Sequence, residues 1–455
     1  MTAGERRAAL SLATIFALRM LGLFMILPVF SLYAHHLQGV TPMLIGIAIG
    51  VYGLTQAMLQ IPFGLMSDRF GRKSLIAIGM LIFAVGSAVA AMSHSIWGVI
   101  AGRALQGVGA VASVVMALAA DLTREEHRTK AMALIGTTIG MSFVASLVAG
   151  PVLNQWIGVP GIFWLTSVLA LGGIAVLQFW VPTPTHVRFH HDTQPVPAQL
   201  SEVLKNGQLG RLDFSIFSLH MMLTATFVVM PLVLRDHIHL ASNHHWYIYL
   251  PVMLLALAIM VPLVIIAEKR RQMKQMLMAS VVTLAVAELV FWLSLNSLDG
   301  MILGLLLFFI AFNLLEAILP SYIAKVAPPD KKGSAMGAYS TSQFLGAFVG
   351  GAAGGWLYGA EGLQAVFVFC SLAAVFWAFI ASTLHQPPYL SSKMLNVGSI
   401  DGRQAQELTM QLLQIEGVKE AVVVAEDEVA YLKVDSRALD QEALRRFATD
   451  AGAAG

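Results

Sequence analysis

Apolar runs of about twenty residues, the length a helix needs to cross the hydrocarbon of a bilayer, recur along this chain a dozen times. They fall at about 10–33, 42–66, 74–93, 96–120, 131–153 and 161–181, then 212–234, 244–267, 275–295, 301–326, 334–357 and 363–384 on that ruler. The composition agrees: 57% of residues are hydrophobic and 12% charged, too few charges to clothe a water-soluble surface of this size. The fold class expected is an all-α membrane bundle of twelve transmembrane helices. The lipid bilayer is its first partner, and nucleic acid is not expected as another.

Charge fixes the orientation. Loops on one side carry Arg6, Arg7, Arg69, Arg72, Lys73, Arg124, Arg128, Lys130, Arg188, Lys205, Arg211, Lys269, Arg270, Arg271, Lys274, Lys325, Lys331 and Lys332, whereas the other side carries Arg235. Lys and Arg are retained on the cytoplasmic face, so both termini are expected in the cytoplasm. The first run is too long for a cleaved leader and is read as a retained span. One cysteine, Cys370, in an apolar run, excludes an internal disulfide and a multi-thiolate metal site. Neither a cofactor nor a metal is expected. With no nucleophile–base constellation, phosphate loop or metal-ligand cluster in view, the chain is not expected to be an enzyme.

The two halves echo each other at an offset of about 200 residues. Pro62-Phe63-Gly64 leads to Asp68-Arg69 as Pro262-Leu263-Val264 leads to Glu268-Lys269; Lys130-Ala131-Met132 is answered by Ser334-Ala335-Met336, and Pro28 by Pro231. This is the pattern of a transporter made of two six-span repeats with the substrate site between them. The division is residues 1–181 and 212–385 for the halves, with a cytoplasmic linker at 182–211 in which 200–207 forms a surface helix. After a linker at 386–392, residues 393–455 read as strand, helix, two strands and helix, a small α+β domain of ferredoxin-like kind. Its closing strand is absent or reduced to 451–455.

Three motifs carry a family resemblance. Residues 64–73 pack Gly64, Asp68, Arg69, Gly71, Arg72 and Lys73 between the second and third spans, and resemble motif A of the major facilitator superfamily. Residues 101–109, with Arg103, resemble motif B in span four. Gly150-Pro151 in span five resembles the antiporter motif C in part: Ser146 stands where a glycine is usual, and Asn154-Gln155 replace a terminal glycine pair. The chain is similar to the 12-span drug:proton antiporter branch. That resemblance implies the major facilitator fold in two pseudo-symmetric six-helix halves and a motif A latch. In the latch, Asp68 meets basic groups and the start of the eleventh helix near Ser334, and Asp121 shares Arg72. The small domain resembles a heavy-metal-associated fold, but its first loop, 397–401, lacks the Cys-x-x-Cys that binds soft metals. It is read as a regulatory or structural module.

A charge at the middle of a span costs roughly 2.5–3.5 kcal/mol on insertion scales, so each such residue requires a reason. Arg19 lies in span one, Arg103 in span four, His220 in span seven, and Glu316 in span ten with Asn313 one turn before it. In the family these helices line the central cavity. Glu316 is the candidate proton carrier and His220 the second. Arg19 and Arg103 would attract an anionic group or hold Glu316 charged. Each of these residues competes with a plainer reading as an interhelical pair, and Glu288 in span nine is read that way. Phe24, Met25, Tyr52, Met58, Tyr249 and Met253 are candidates to line an apolar cavity, or else they face lipid and other helices.

The function expected is proton-coupled export of a small amphipathic compound by alternating access, with the proton gradient as energy source. The protein is placed as a monomer in the bacterial inner membrane. The alternatives are a uniporter or symporter of the same fold, and a non-transporting membrane sensor acting through the C-terminal domain.

Overall fold

The computed structural model describes residues 1–183, 197–328, 331–398, 401–425, 428–435 and 438–447. Arg188 and most of the connecting segment, Ser399 and Ile400 of the small domain's first loop, and the expected closing strand at 451–455 lie outside the described residues. The helices before the connecting segment are α1 (Ala3–Phe24), α2 (Phe30–Ala34), α3 (Pro42–Phe70), α4 (Arg72–Met92), α5 (Ile96–Val108), α6 (Ala112–Asp121) and α7 (Glu125–Phe179). Next come α8 (Pro197–Lys205), in the connection, and α9 (Gly207–Asp236), α10 (Trp246–Lys269), α11 (Met273–Leu293), α12 (Leu298–Val326), α13 (Lys332–Glu361) and α14 (Leu363–Ser382).

Among the described residues, ten helical stretches are long and apolar enough to cross a membrane. Two features separate that number from the twelve expected. One is α7, whose 55 residues run as a single helix except at Gly158, where φ is 63° and ψ 176°. In a straight helix Ser146 and Thr166 would lie roughly 30 Å apart at 1.5 Å per residue. Instead Ser146 Oγ donates to Leu21 O and Thr166 Oγ1 to Gly22 O, each at 3.2 Å. Both arms therefore flank the same turn of α1, and the chain doubles back at Gly158. A positive φ of this kind is glycine's to adopt.

The other feature is α13, long enough at 30 residues but built from small side chains. Its glycines let neighbouring backbones touch on two faces. A Cβ on Gly46, Gly50 or Gly53 of α3 would stand 1.9, 2.9 and 2.4 Å from the α13 backbone at Gly351, Phe348 and Phe344. On the other face, a Cβ on Gly346 or Gly350 would stand 2.1 and 2.0 Å from the carbonyls of Phe217 and Met221 on α9. Small residues at this spacing are how membrane helices approach closely when lipid removes the hydrophobic drive between them. The same residues lower the hydropathy of α13.

Two irregularities position polar groups. The helices α3 and α4 run on past the predicted span ends and leave Gly71, at φ 85°, as the whole of the turn between them. The basic stretch expected as a loop is thus largely helical, because an extended helix satisfies its own backbone at the membrane surface. Span four is interrupted at residues 109–111, between α5 and α6.

Buried apolar side chains form two clusters in this part of the molecule. Ile26, Phe30, Ile49, Val99, Leu147 and Phe163 join the core of α9–α14, whereas Leu12, Ile15, Phe63, Ile76, Val114 and Leu177 form a core of their own. The first set lies toward the ends away from the basic loops, so there the parts before and after the connection share one core. The small C-terminal unit is β1 (Ser391–Asn396), α15 (Gly402–Leu413), β2 (Val418–Val424), β3 (Val429–Val434) and α16 (Gln441–Arg445). Its antiparallel sheet has the order β1-β3-β2, with Tyr431 opposite both Met394 and Val422. Its core is Leu412, Ala430, Leu432 and Val434, all fully buried.

Candidate functional site

The basic end of the bundle holds the motif A residues. Arg72, at the start of α4, is 2% exposed. Its Nε donates to Asp121 Oδ2 at the end of α6 at 2.8 Å, and its Nη1 to Ser67 Oγ at 2.6 Å. Ser67 Oγ in turn donates to Gly64 O at 2.5 Å. Lys73 Nζ donates to Val181 O at 2.9 Å. Arg69 points outward over the Phe70 ring at 6.0 Å. Asp68 occupies the last turn of α3; its side chain lies outside the described residues. The structure therefore brings Arg72 and Asp121 together, as expected.

Ser334, in the first turn of α13, is fully buried and donates to Gln199 of α8 at 3.1 Å. Lys331 pairs with Glu202 of α8. The hydrogen bond from Lys331 holds the exposed Glu202 carboxyl below the usual carboxylate range. Glu268, the counterpart of Asp68 one repeat on, accepts from Lys325 at 2.5 Å and from Ser321 at 2.9 Å. Arg235, the one residue among the Lys and Arg of the loops that is placed at the opposite end, pairs with its neighbour Asp236 at 2.6 Å.

Deeper in the bundle, Arg19 and Arg103 are 1% and 2% exposed. Arg19 Nη2 donates to Tyr52 Oη at 2.8 Å, Gln56 Oε1 at 2.7 Å and Gly109 O at 3.2 Å. The last of these is the carbonyl at the break in span four, which also accepts from Val111 N at 2.8 Å, so the arginine adds a second donor to the backbone there. Arg103 Nε and Nη2 donate to Ala48 O at 3.2 Å and Ile49 O at 3.0 Å, and its Nη1 to Gln106 at 2.9 Å. Neither arginine meets Glu316. The expectation that they hold Glu316 charged is corrected: these are interhelical pairs within the part before α8, with Tyr52 between them at 5.9 and 5.5 Å from the two guanidinium carbons.

Glu316 meets His220 instead, its Oε1 lying 3.3 Å from His220 Nε2. That same nitrogen is 2.9 Å from Nε2 of Gln343 on α13. Asn313 lies one turn before Glu316, with its amide nitrogen buried and unpartnered. Tyr339, one turn before Gln343, has a buried hydroxyl within electrostatic reach of both Glu316 and Asp213. Asp213 is 7% exposed and sits two turns before His220 on α9. Phe312 lies tilted beside His220 at 5.9 Å and reaches Phe143 of α7 at 5.6 Å, which in turn meets Phe24 of α1 at 5.1 Å. An aromatic row thus links the two parts of the bundle beside the His220–Glu316 pair.

Gln343, Tyr339, Asp213, Tyr52 and Gln56 are partners that a scan for deep charges passes over. All but Asp213 carry no formal charge, and Asp213 sits at the predicted span's edge. The available signal was spacing: Tyr339 and Gln343 are four apart and Asp213 and His220 seven apart, each pair on one helix face. Gly150 serves packing, since a Cβ there would stand 2.3 Å from Met25 O; Pro151 lies inside α7 beside it. Glu288 is fully buried and accepts from Thr226 at 2.7 Å. Tyr249 and Met253 are fully buried in the core, and Met58 is 66% exposed.

The small unit touches both parts of the bundle at the basic end. Lys433 Nζ on β3 donates to Lys325 O at the end of α12 at 2.9 Å, and Arg128 Nη1 of α7 lies 3.9 Å from Met394 Sδ on β1.

Comparison with known proteins agrees with this architecture. A sequence profile of the Major Facilitator Superfamily matches residues 12–351, and again 274–399; one of the YajR YAM domain matches residues 401–447. The inner membrane transport protein YajR of Escherichia coli K12 is 48% identical over 439 residues, 96% of either chain. The multidrug resistance protein MdtH of Klebsiella pneumoniae is 26% identical over 342 residues, 75% of this chain and 84% of that one. Among solved structures, a bacterial homologue of the human lysosomal transporter Spinster superposes with a TM-score of 0.70 at 12% identity, over 84% of this chain and 97% of the other. The human organic anion transporter MFSD10 gives 0.61 at 17% identity, over 84% and 100%. With a match along most of its length, a near-half-identical relative and a shared fold, the chain belongs to the major facilitator superfamily and ends in a YAM domain of the YajR kind.

Proposed function

We propose that the protein is a proton-coupled secondary transporter of the bacterial inner membrane, crossing twelve times with both termini in the cytoplasm. It exports a small amphipathic compound as a monomer by rocking two six-helix halves, 1–181 and 212–385. The reversal at Gly158 and the glycine-built α13 account for the two crossings beyond the ten apolar stretches. The relatives named as an inner membrane transporter and a multidrug resistance protein support the location and the direction.

The observation that carries the mechanism is the His220–Glu316 pair at 3.3 Å, the one place among the described residues where an acid and an imidazole meet in mid-span. A neutral His220 beside an ionised Glu316 carries one negative charge; taking up one proton makes the pair neutral overall, so the loaded pair crosses the closed intermediate at low cost. The aromatic row from Phe312 to Phe24 supplies an apolar surface beside it for the substrate.

Proteoliposomes with an imposed pH gradient and a panel of amphipathic dyes and drugs test this. At least one compound is expected to move only while the gradient stands, and Glu316→Gln to reduce that flux more than tenfold. Flux that survives collapse of the gradient overturns the coupling and leaves a uniporter.

A further inference from the structure

His220 Nε2 faces two partners that make opposite demands on it. The amide nitrogen of Gln343, at 2.9 Å, is a donor and needs a lone pair on the ring. The carboxylate of Glu316, at 3.3 Å, is an acceptor and needs an N–H there. One nitrogen cannot serve both at once. A neutral ring with its proton on Nδ1 bonds Gln343; a ring protonated on Nε2 bonds Glu316 and gives up Gln343.

The two partners sit on different helices. Glu316 is on α12, within the part of the bundle that follows α8. Gln343 is on α13, the helix whose backbone lies against α3 across the join between the two parts. Two residues before Gln343, Thr341 accepts from Gln60 Nε2 of α3 at 2.8 Å across the same helix pair. We infer that Gln343 is the positioning residue that couples the proton state of the His220–Glu316 pair to the α3–α13 seam. Loading a proton breaks the α9–α13 hydrogen bond and makes an α9–α12 one; the glycine-lined packing of α13 on α9 remains, but α13 loses this polar tie, which shifts the balance at the α3–α13 seam. This rests on the proposed proton site. The groups in contact with His220 are Glu316 and Phe312 from α12 and Gln343 from α13; Tyr339, one turn before Gln343, lies within electrostatic reach of Glu316 and of Asp213, which is two turns before His220 on α9. Of these, Gln343 alone combines hydrogen-bond contact with a seat on the seam helix.

The test is pulsed electron resonance on the full chain in lipid, with spin labels at Met66 on α3 and Leu345 on α13. These positions are 42% and 38% exposed, and the buried Cys370 does not label. The readout is the ratio of seam-closed to seam-open populations at acid and alkaline pH. The unsubstituted seam is expected to change that ratio at least fivefold. Gln343→Leu, which keeps the volume and removes the donor, reduces the change below twofold, and Gln343→Glu, which turns the donor into an acceptor, reverses its sign. Glu316→Gln also flattens it. If Glu316→Gln flattens the response and Gln343→Leu does not, the coupling role is overturned and the proton site stands. If neither does, or the unsubstituted protein shows no pH response, the proton site itself is wrong and the coupling falls with it.

Discussion

Arg72 and Arg69 lie three residues apart in one motif and do different work. The side chains of Arg72 and Asp121 are 1% and 0% exposed and meet at 2.8 Å. Removing one member of a buried ion pair leaves a charge that water cannot reach, at a cost of about 3–5 kcal/mol. Asp121→Ala should therefore lower the thermal unfolding midpoint sharply in detergent. Arg69 is exposed, and Arg69→Ala should fall within about 0.5 kcal/mol of the parent. Differential scanning fluorimetry on the two variants side by side checks this, and equal losses would overturn the distinction. The Arg72–Asp121 contact was legible because the predicted span ends put both residues at one face of the bundle. The partners of Arg19 were not. Hydropathy gives a side chain's depth, but the direction it takes round its helix depends on neighbours 33 to 90 residues away, one of them a carbonyl at the break in span four. A charge-based reading sent both arginines toward an anionic group or toward Glu316. In the structure they bond tyrosine, glutamine and backbone oxygens.

At the scale of helices, α13 is the element on which the two parts of the bundle depend. Its glycines were visible in the sequence, and the apolar-length ruler placed a span at 334–357. What the sequence did not show is that α13 touches two helices, one on each side. A side chain at Gly46 would stand 1.9 Å from the Gly351 carbonyl, inside any contact that backbone tolerates. Gly46→Val should force α3 and α13 apart. Gly136→Ala, where nothing lies within 4 Å, should be silent. Cysteines placed at Gln60 and Thr341 should cross-link readily in the parent and in Gly136→Ala, but at least tenfold more slowly in Gly46→Val.

The helix α8 lies against the start of α13 through Glu202 and Lys331. Glu202 is held below its ordinary range, so this contact is at full strength above the ordinary carboxylate pKa. It fades as pH falls through the lowered value. A spin label at Leu204, which is 66% exposed, should become mobile on acidification. In Glu202→Gln it should be mobile at neutral pH too. A label equally immobile in both proteins would show that other contacts hold α8.

Across the whole molecule, the order of the apolar helices and the strand and helix pattern of the small unit follow from periodicity and length. That is why they were legible along the chain: each is set by residues near one another in sequence. The docking of the small unit is not of that kind. It joins Lys433 to the last carbonyls of α12, 108 residues away, and Met394 to Arg128 of α7, 266 residues away. Lys433 is 3% exposed although it lies in a strand that alternation alone would turn partly to water. Its burial is explained by its partners: it donates to Lys325 O at 2.9 Å and pairs with Glu420 at 3.3 Å. A lysine in this position acts through its donors to the negative end of a helix as well as through its stem. Lys433→Met keeps the stem and removes the donors. Hydrogen exchange on the full chain should then rise in the last turn of α12 and along β3, while the amides of α3 and α9 stay as protected as before. If protection at α12 is unchanged, the small unit is held by contacts elsewhere and the Lys433–α12 bond is incidental to its docking.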